Sequence, residues 1–267
     1  MRTKENSGAP SLSIDEIVSA IKHSRLITIL VEGKSDLEVY RWLESYLSDQ
    51  NVDVLQCGGR SRLFDIFERR NEFSKNNVIF IADRDMWLFT SIPEKYQKEI
   101  FFTQGYSLEN DVYSIGIMAK LLEADEAKSF QQVIGELSKW FAFEIEGYLK
   151  DPSRERAFPH ANQICPSDRL CPTFSAKIGY REAQATIVED IKKHYAIKLR
   201  GKTLFEVALR FLSKTSRKSK YSYKNLLEMF VKLDTPPIVS FCSTIKQKIT
   251  ANSSPDTVQT ELVLKAS

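Results

Sequence analysis

The sequence predicts an α/β protein, in which a three-layer domain with a central parallel sheet is followed by a mostly helical C-terminal region. Two patterns carry this prediction. Short apolar runs alternate with amphipathic helical patterns in the first half, and helical periodicity alone continues through the second half. The 267 residues are 42% hydrophobic and 27% charged, as in ordinary globular proteins. This composition excludes a disordered, collagen-like or disulfide-scaffold protein.

In the first half, apolar runs rich in β-branched residues predict buried strands. Ser13 and Glu16 form a capping-box pattern ahead of a short amphipathic helix, and Ser35 and Glu38 form a second one. A third helix is predicted from the apolar spacing at 63–67. The predicted strands are 26–31, 52–55, 78–82 and a further short one at 99–103.

The second half is predicted to be helical around one long loop, Asp151 to Phe174, which is rich in Pro and Ser. The predicted helices are 111–122, 126–149, 176–194, 203–212, 223–231 and 238–249. We therefore expect an N-terminal helix and tail at 1–25, an α/β domain at 26–122 and a helical region at 123–267.

Four cysteines without a recognisable export signal are typical of a reduced, cytoplasmic protein. The longest apolar runs are far shorter than the roughly 20 residues that a membrane span needs. We therefore expect no membrane association.

Positive charge is concentrated in residues 191–232. This stretch has twelve Lys and Arg against two acids, whereas the rest of the chain carries a net charge of −7. Such a surface attracts phosphate backbones by counterion release, although a charge run is more often a solvated helix face. The candidate nucleic-acid contacts in it are Arg200, Lys214, Arg217, Lys218 and Lys220.

Acidic residues follow two of the predicted strands. Glu32 comes directly after the first strand with Asp36 four residues later, and Asp83 and Asp85 follow the third. Parallel strands end at a common edge of the sheet, so these carboxylates are expected to converge there, with Asp83 and Asp85 on one face of an extended segment. Converging carboxylates favour Mg²⁺ or Mn²⁺. Taken alone, an Asp-x-Asp segment is more often a turn or a surface feature.

Two further basic residues follow strands at the same edge. Gly58-Gly59-Arg60 comes after the second strand and is equally compatible with a phosphate-binding loop, in which Arg60 clamps the anion, and with a plain tight turn. Lys34 follows the first strand and either faces a phosphate or is solvated.

The order of these motifs resembles a known family. The segment Val31-Glu32-Gly33-Lys34-Ser35-Asp36 after one strand, followed some fifty residues later by Asp83-Arg84-Asp85 after another, resembles the Toprim fold of topoisomerases, bacterial primases and OLD-type nucleases. Tyr106-Ser107-Leu108-Glu109-Asn110 is similar to a segment of the OLD-like Toprim proteins of bacterial anti-phage defence. Arg200-Gly201-Lys202 before an apolar helix is similar to a later part of the same family. The clear resemblance covers residues 26–111.

The resemblance implies a role for each matching residue. Glu32 is the motif glutamate, a metal ligand or general acid/base, and Asp83 and Asp85 are the metal-binding pair. Asp36 would support a second metal. Glu109 either completes the site or is the N-terminal anion of the helix that follows it. Lys202 either stabilises charge on the scissile phosphate or is an exposed lysine at a helix start.

The resemblance further implies a metal-dependent endonuclease that acts as a toxic defence effector. A partner ATPase of the ABC/SMC-like type would control it, and a homodimer is plausible by analogy. Its substrate would be RNA, tRNA included, or DNA, with RNA slightly favoured. The alternative is a non-catalytic Toprim scaffold whose basic region binds nucleic acid or a partner protein.

Overall fold

A computed structural model describes residues 12–33, 37–154, 156, 158–233 and 236–253. It is an α/β protein with one four-stranded sheet of strand order β2-β1-β3-β4. The strands are β1 (Ile27–Val31), β2 (Val52–Gln56), β3 (Val78–Ala82) and β4 (Ile100–Phe102). All four lie where the sequence predicts them.

Helices surround and follow the sheet. They are α1 (Ile14–His23), α2 (Leu37–Tyr46), α3 (Arg60–Glu68), α4 (Glu94–Gln97), α5 (Leu108–Val112), α6 (Ile115–Leu121), α7 (Ala124–Lys150), α8 (Ala161–Ile164), α9 (Pro172–Lys177), α10 (Ala185–Lys193), α11 (Tyr195–Lys198), α12 (Gly201–Leu212), α13 (Tyr223–Lys232) and α14 (Pro236–Ser253). Short 3₁₀ helices lie at Ser48–Gln50, Arg70–Phe73 and Asp85–Phe89.

Strand β1 is central because both of its neighbours run parallel to it. Ile27 pairs with Val52 of β2, and Val31 pairs with Ile81 of β3. A strand covered on both faces is mostly apolar, and Ile29, Leu30 and Val31 of β1 are fully buried. The parallel register brings the carboxyl ends of β1 and β3 to the same edge of the sheet.

The predicted N-terminal capping box is confirmed. Ser13 Oγ accepts the amide of Glu16, and Glu16 Oε2 accepts the amide of Ser13, so two amides at the start of α1 are satisfied. Helix α1 then buries Ile17, Val18 and Ile21. The second predicted box lies partly outside the described residues, because Ser35 is not among them.

The chain divides into two compact units. The first contains Met1–Ala82, Lys98–Phe101 and Thr244–Ser267, and the second contains Asp83–Gln97 and Phe102–Ser243. The sheet organises the first unit. The second is built around α7, whose buried face includes Trp140 and Phe141, both fully inaccessible. The domain limits expected from the sequence stay a prediction.

The expected single helix over 111–122 is wrong. The structure has two helices there, α5 and α6, separated at Tyr113 and Ser114. Tyr113 is extended and buried, with its ring against Phe205 and Phe230, and Ser114 Oγ accepts the amide of Ile117 to begin α6. Burial of one aromatic side chain thus interrupts an apolar period that looks continuous in the sequence.

The expected helix over 176–194 is also wrong, and so is the expectation of an unbroken loop from 151 to 174. Helix α9 begins at Pro172, a residue favoured in the first helical turn. It ends near Gly179, whose φ of +62° is a left-handed conformation that stops a helix. A second helix, α10, starts only at Ala185, and the short α8 lies inside the predicted loop.

None of the helices in the described part of the chain combines the length and apolarity of a membrane-spanning segment.

Candidate functional site

Glu32 follows the last residue of β1 and is held by the turn between β2 and α3. Arg60 Nη1 donates a 3.0 Å hydrogen bond to Glu32 Oε1, and both side chains are mostly buried, 25% and 16% exposed respectively. The amide of Gly59 donates to the Glu32 carbonyl at 2.5 Å. Gly58 and Gly59 have φ of +82° and +130°, which only glycine adopts at low cost. The turn therefore presents Arg60 to Glu32, while a phosphate contact of Arg60 stays a prediction.

Cys57 directly follows β2 and is buried beside this turn. Burial raises the pKa of its thiol to about 12, with the negative charge of Glu32 adding to the effect and Arg62 opposing it. A raised pKa favours the neutral thiol over the more reactive thiolate.

The chain after β3 turns at once, so the expected extended segment from Asp83 to Asp85 is wrong. Arg84 has helical φ and ψ of −69° and −38°, and Asp85 has a φ of +49° at the start of a 3₁₀ helix. The turn is fixed by backbone donors, because the amide of Arg84 donates to Thr103 Oγ1 at 3.0 Å and that of Asp85 to the Tyr106 carbonyl at 2.7 Å. The segment is not extended, so strand alternation does not put Asp83 and Asp85 on one face. The metal-binding role of the two aspartates stays a prediction.

Asp83 is anchored to the start of α5. Its Oδ1 accepts the amide of Leu108, the first residue of that helix, at 2.9 Å. Helix-start amides have no partner within the helix, and carboxylates are their usual acceptors.

Glu109 lies in the first turn of α5 and is 3% exposed. Ser107 Oγ donates to its Oε2 at 2.6 Å, and Tyr223 Oη of α13 donates to its Oε1 at 2.7 Å. Both carboxylate oxygens are thus engaged within the protein. The structure places Glu109 beside Leu108, the residue that holds Asp83.

Two sequence motifs nearly a hundred residues apart pack against each other here. Asn110 Nδ2 donates to the carbonyls of Ala196 and Leu199, at 2.7 and 2.8 Å. A Cβ at Gly201 would lie 2.4 Å from Ser107 Oγ and 2.7 Å from Glu109 Cβ, so only glycine fits. The Ser107–Asn110 segment and the Arg200–Lys202 segment therefore form one cluster.

Asp111 holds the loop between β4 and α5 in place. Its two oxygens accept the amides of Gln104 and Gly105, at 2.8 and 2.7 Å. Burial raises the pKa of Asp111 to about 6, although these two hydrogen bonds and the charge of Arg84 lower it. The carboxylate is therefore a structural acceptor that becomes protonated in mildly acidic conditions.

Tyr106 lies among charges of both signs. Burial raises its pKa strongly; the charges of Asp85 and Asp83 raise it further, and those of Arg200 and Arg156 lower it. Arg156 is a single arginine in a loop, and no pattern in the sequence points to it. Its guanidinium stacks at 4.7 Å over the Tyr148 ring, as that of Arg200 does at 5.1 Å over Phe158.

The basic stretch is only partly a free positive surface. Lys214 Nζ lies 3.0 Å from Glu126 Oε1, and Arg217 pairs with the other oxygen of Glu126. Burial tends to raise the pKa of Glu126, but hydrogen bonds from Arg217, the Glu123 amide and Lys214 bring it down to about 2.

The remaining candidate basic residues are more exposed to solvent. Lys218 and Lys220 are exposed, and Lys202 is half-buried in the first turn of α12. Nucleic-acid contacts by any of these basic residues stay a prediction.

Within the described ranges, no three His, Cys, Asp or Glu side chains come close enough to hold a metal ion. Asp36 and Lys34 lie outside those ranges. The Mg²⁺ or Mn²⁺ site stays a prediction.

The sequence matches no known protein-family model and no curated protein.

Proposed function

We propose that the protein is a metal-dependent endonuclease with a Toprim-type α/β domain. The observation that carries the proposal is the parallel pairing of β1 with β3, with Val31 opposite Ile81. Glu32 and Asp83 are the residues that immediately follow these neighbouring strands. Residues that follow adjacent parallel strands lie at the edge of the sheet where α/β folds bind their ligands.

No ready metal-binding group exists among the described residues, so in this proposal Glu32, Asp83 and Asp85 come together as oxygen ligands only when Mg²⁺ or Mn²⁺ binds, and Asp36 serves a second ion. Carboxylates suit both ions in their donor chemistry. When bound, the metal would polarise a phosphoryl oxygen and activate a water. In this proposal Glu32 exchanges its contact with Arg60 for the ion, and Arg60 contacts a substrate phosphate.

Basic groups would hold the substrate. Lys202 and Arg200 begin α12 in the cluster formed with Ser107–Asn110, and Lys34 follows β1. Lys218 and Lys220 extend the positive surface. RNA, tRNA included, is slightly favoured over DNA as substrate. The family resemblance supports a cytoplasmic toxic effector of anti-phage defence, controlled by an ABC/SMC-like ATPase.

One observation favours the second candidate, a non-catalytic scaffold that binds nucleic acid or a partner protein. The ion pair between Arg60 and Glu32 already compensates one of the proposed ligand charges. If that pair is permanent, the acids need no metal.

Thermal denaturation with and without Mg²⁺ or Mn²⁺ separates the two candidates. A ligand that binds only the folded state raises the melting temperature by mass action. The nuclease proposal expects a rise in the wild type and in Asp65→Asn, an exposed acid on α3, and none in Asp83→Asn. The Asn side chain keeps an oxygen that can accept the Leu108 amide, so that variant is expected to fold. Absence of a rise with both ions in the wild type would favour the scaffold.

A further inference from the structure

The first unit contains a cavity of about 400 Å³ near the amino end of β3, whose first residue, Val78, lies in its wall. This is the opposite end of the strand from Asp83. The volume falls in the usual range of small-molecule sites, about 300–1,000 Å³. The wall of the cavity includes Arg70, Asn71, Phe73, Ser74, Lys98, Glu99 and Lys248.

The single carboxylate in the cavity wall is already neutralised. Arg70 Nε and Nη2 donate to the two oxygens of Glu99, at 2.8 and 3.3 Å. The same guanidinium donates to the Phe67 carbonyl and stacks at 4.1 Å over the Phe67 ring. Arg70 and Glu99 therefore cancel, and the ammonium groups of Lys98 and Lys248 leave the wall with a net charge of +2.

The positive charge of Lys248 is poorly compensated by its surroundings. It is half-buried on α14, and its Nζ donates to the backbone carbonyl of Glu99 across 3.4 Å. No carboxylate in the described part of the chain forms an ion pair with it. Burial lowers the pKa of Lys248, against the opposing charge of Glu99. An ammonium that is partly desolvated and bonded only to a distant neutral acceptor is stabilised by any anion that enters the cavity.

The rest of the wall suits a ligand with both a polar and an apolar part. Asn71 and Ser74 are exposed polar side chains beside the opening, and Phe73 supplies a buried apolar surface. Lysine is a common partner of phosphate, which it binds as a point charge.

We propose that this cavity binds a small phosphorylated ligand of nucleoside-monophosphate size, with the phosphate between Lys248 and Lys98. Two ammonium groups match the two negative charges of a phosphate monoester. The inference is independent of the proposed nuclease activity, since none of the residues named belongs to the acidic motifs.

Isothermal titration of the full chain with AMP, inorganic phosphate and adenosine, in the presence of EDTA, tests the proposal. EDTA removes divalent ions, so binding through a metal at the acidic motifs does not contribute. We expect AMP and phosphate to bind and adenosine not to bind. Lys248→Met should weaken AMP binding by about tenfold or more, the usual effect of losing one charge-assisted hydrogen bond.

Lys75→Met is the matched control, because Lys75 is an exposed lysine next to Ser74 that does not line the cavity. It should bind AMP as the wild type does. Lys248→Met removes a poorly compensated charge and is expected to fold at least as stably as the wild type, which thermal denaturation checks. No binding of AMP or phosphate to the wild type, equal affinity in Lys248→Met, or adenosine binding as tightly as AMP would each overturn the proposal.

Discussion

The amide of Leu108 donates a 2.9 Å hydrogen bond to Asp83 Oδ1, so the start of α5 sets the position of the first aspartate after β3. The neighbouring Glu109 does not point a free carboxylate at that aspartate. It accepts hydrogen bonds from Ser107 and Tyr223, and thereby fixes the turn from which Leu108 donates. This geometry favours Glu109 as a positioning residue that acts on Asp83 through the backbone.

Glu109→Gln therefore tests a positioning role against a role as metal ligand. The amide cannot accept both hydroxyl donors, so the turn loosens and Asp83 is less well held. We expect the turnover rate to fall by about tenfold, the lower range for residues that orient a ligand, and the metal requirement to rise by no more than about tenfold, because Asp83 is less well held but still present. Cleavage rates measured across a Mg²⁺ titration check this.

Two variants complete that comparison. Tyr223→Phe removes one of the two donors and should show a smaller decrease of the same kind, whereas Glu228→Gln, an exposed acid on α13, should behave as the wild type. Loss of the metal-dependent rise in melting temperature in Glu109→Gln, as complete as that expected for Asp83→Asn, would instead identify Glu109 as a ligand. If the wild type does not cleave, hydrogen exchange of the Leu108 amide still reports the positioning.

Gly201→Ala should destabilise the fold. The new Cβ would lie 2.4 Å from Ser107 Oγ and 2.7 Å from Glu109 Cβ, and both are held by other contacts. Overpacking of this kind costs about 1–3 kcal/mol in free energy of unfolding. Chemical denaturation measures it, with Gly116→Ala as control. The nearest atom to a Cβ at Gly116 in α6 is 3.9 Å away, so that change should be neutral or stabilising. Equal stability of the two variants would contradict the packing argument.

Arg60→Gln should change metal and substrate binding in opposite directions. The variant loses the cation that competes for Glu32, so half-maximal activity should need two- to fivefold less metal, about the value of a partly exposed ion pair. The KM for nucleic acid should rise, since Arg60 no longer meets a phosphate. Arg41→Gln removes an exposed positive charge from α2 and serves as control. An unchanged KM would remove Arg60 from the substrate-binding set.

Asp111 should make stability fall as pH rises from about 4 to 6. Its pKa is about 6 in the folded protein against an ordinary 3.8, so within this window the folded state binds a proton that the unfolded state has released. The contribution is fully present below pH 4 and is lost above pH 6. A difference on the order of 2–3 kcal/mol is expected. Urea denaturation from pH 4 to 7 should show a weaker dependence in Asp111→Asn, and an identical dependence would contradict the assignment.

The strands and several helices could be predicted because their causes are local. Strand β1 is apolar at consecutive positions, and Ser13 and Glu16 cap α1 within four residues of sequence. The same local patterns place Glu32 and Asp83 after strands of one parallel sheet. The alternation of strands and helices does not predict the strand order, so the pairing of β1 with β3 is known from the structure alone.

What the sequence could not supply depends on contacts between distant segments. The hydrogen bond from Tyr223 to Glu109 joins residues 114 positions apart, and no pattern in either segment predicts it. The turn at Asp85 is held by a hydrogen bond to the carbonyl of Tyr106, which is distant in the sequence. The residues next to Asp85 do not contain this contact, and from them alone an extended chain is predicted. The break at Tyr113 likewise arises from aromatic rings contributed by α12 and α13.

Cleavage by the purified full chain tests the nuclease proposal most directly. Separate pools of tRNA, total RNA and DNA are incubated with Mg²⁺ or Mn²⁺, using the wild type, Glu32→Ala, Asp83→Asn and the exposed-acid control Asp65→Asn. The proposal predicts metal-dependent products from the wild type and Asp65→Asn, most readily from tRNA, and none from the other two. Intact substrates in every pool with both ions, or undiminished cleavage by Glu32→Ala and Asp83→Asn, would contradict it.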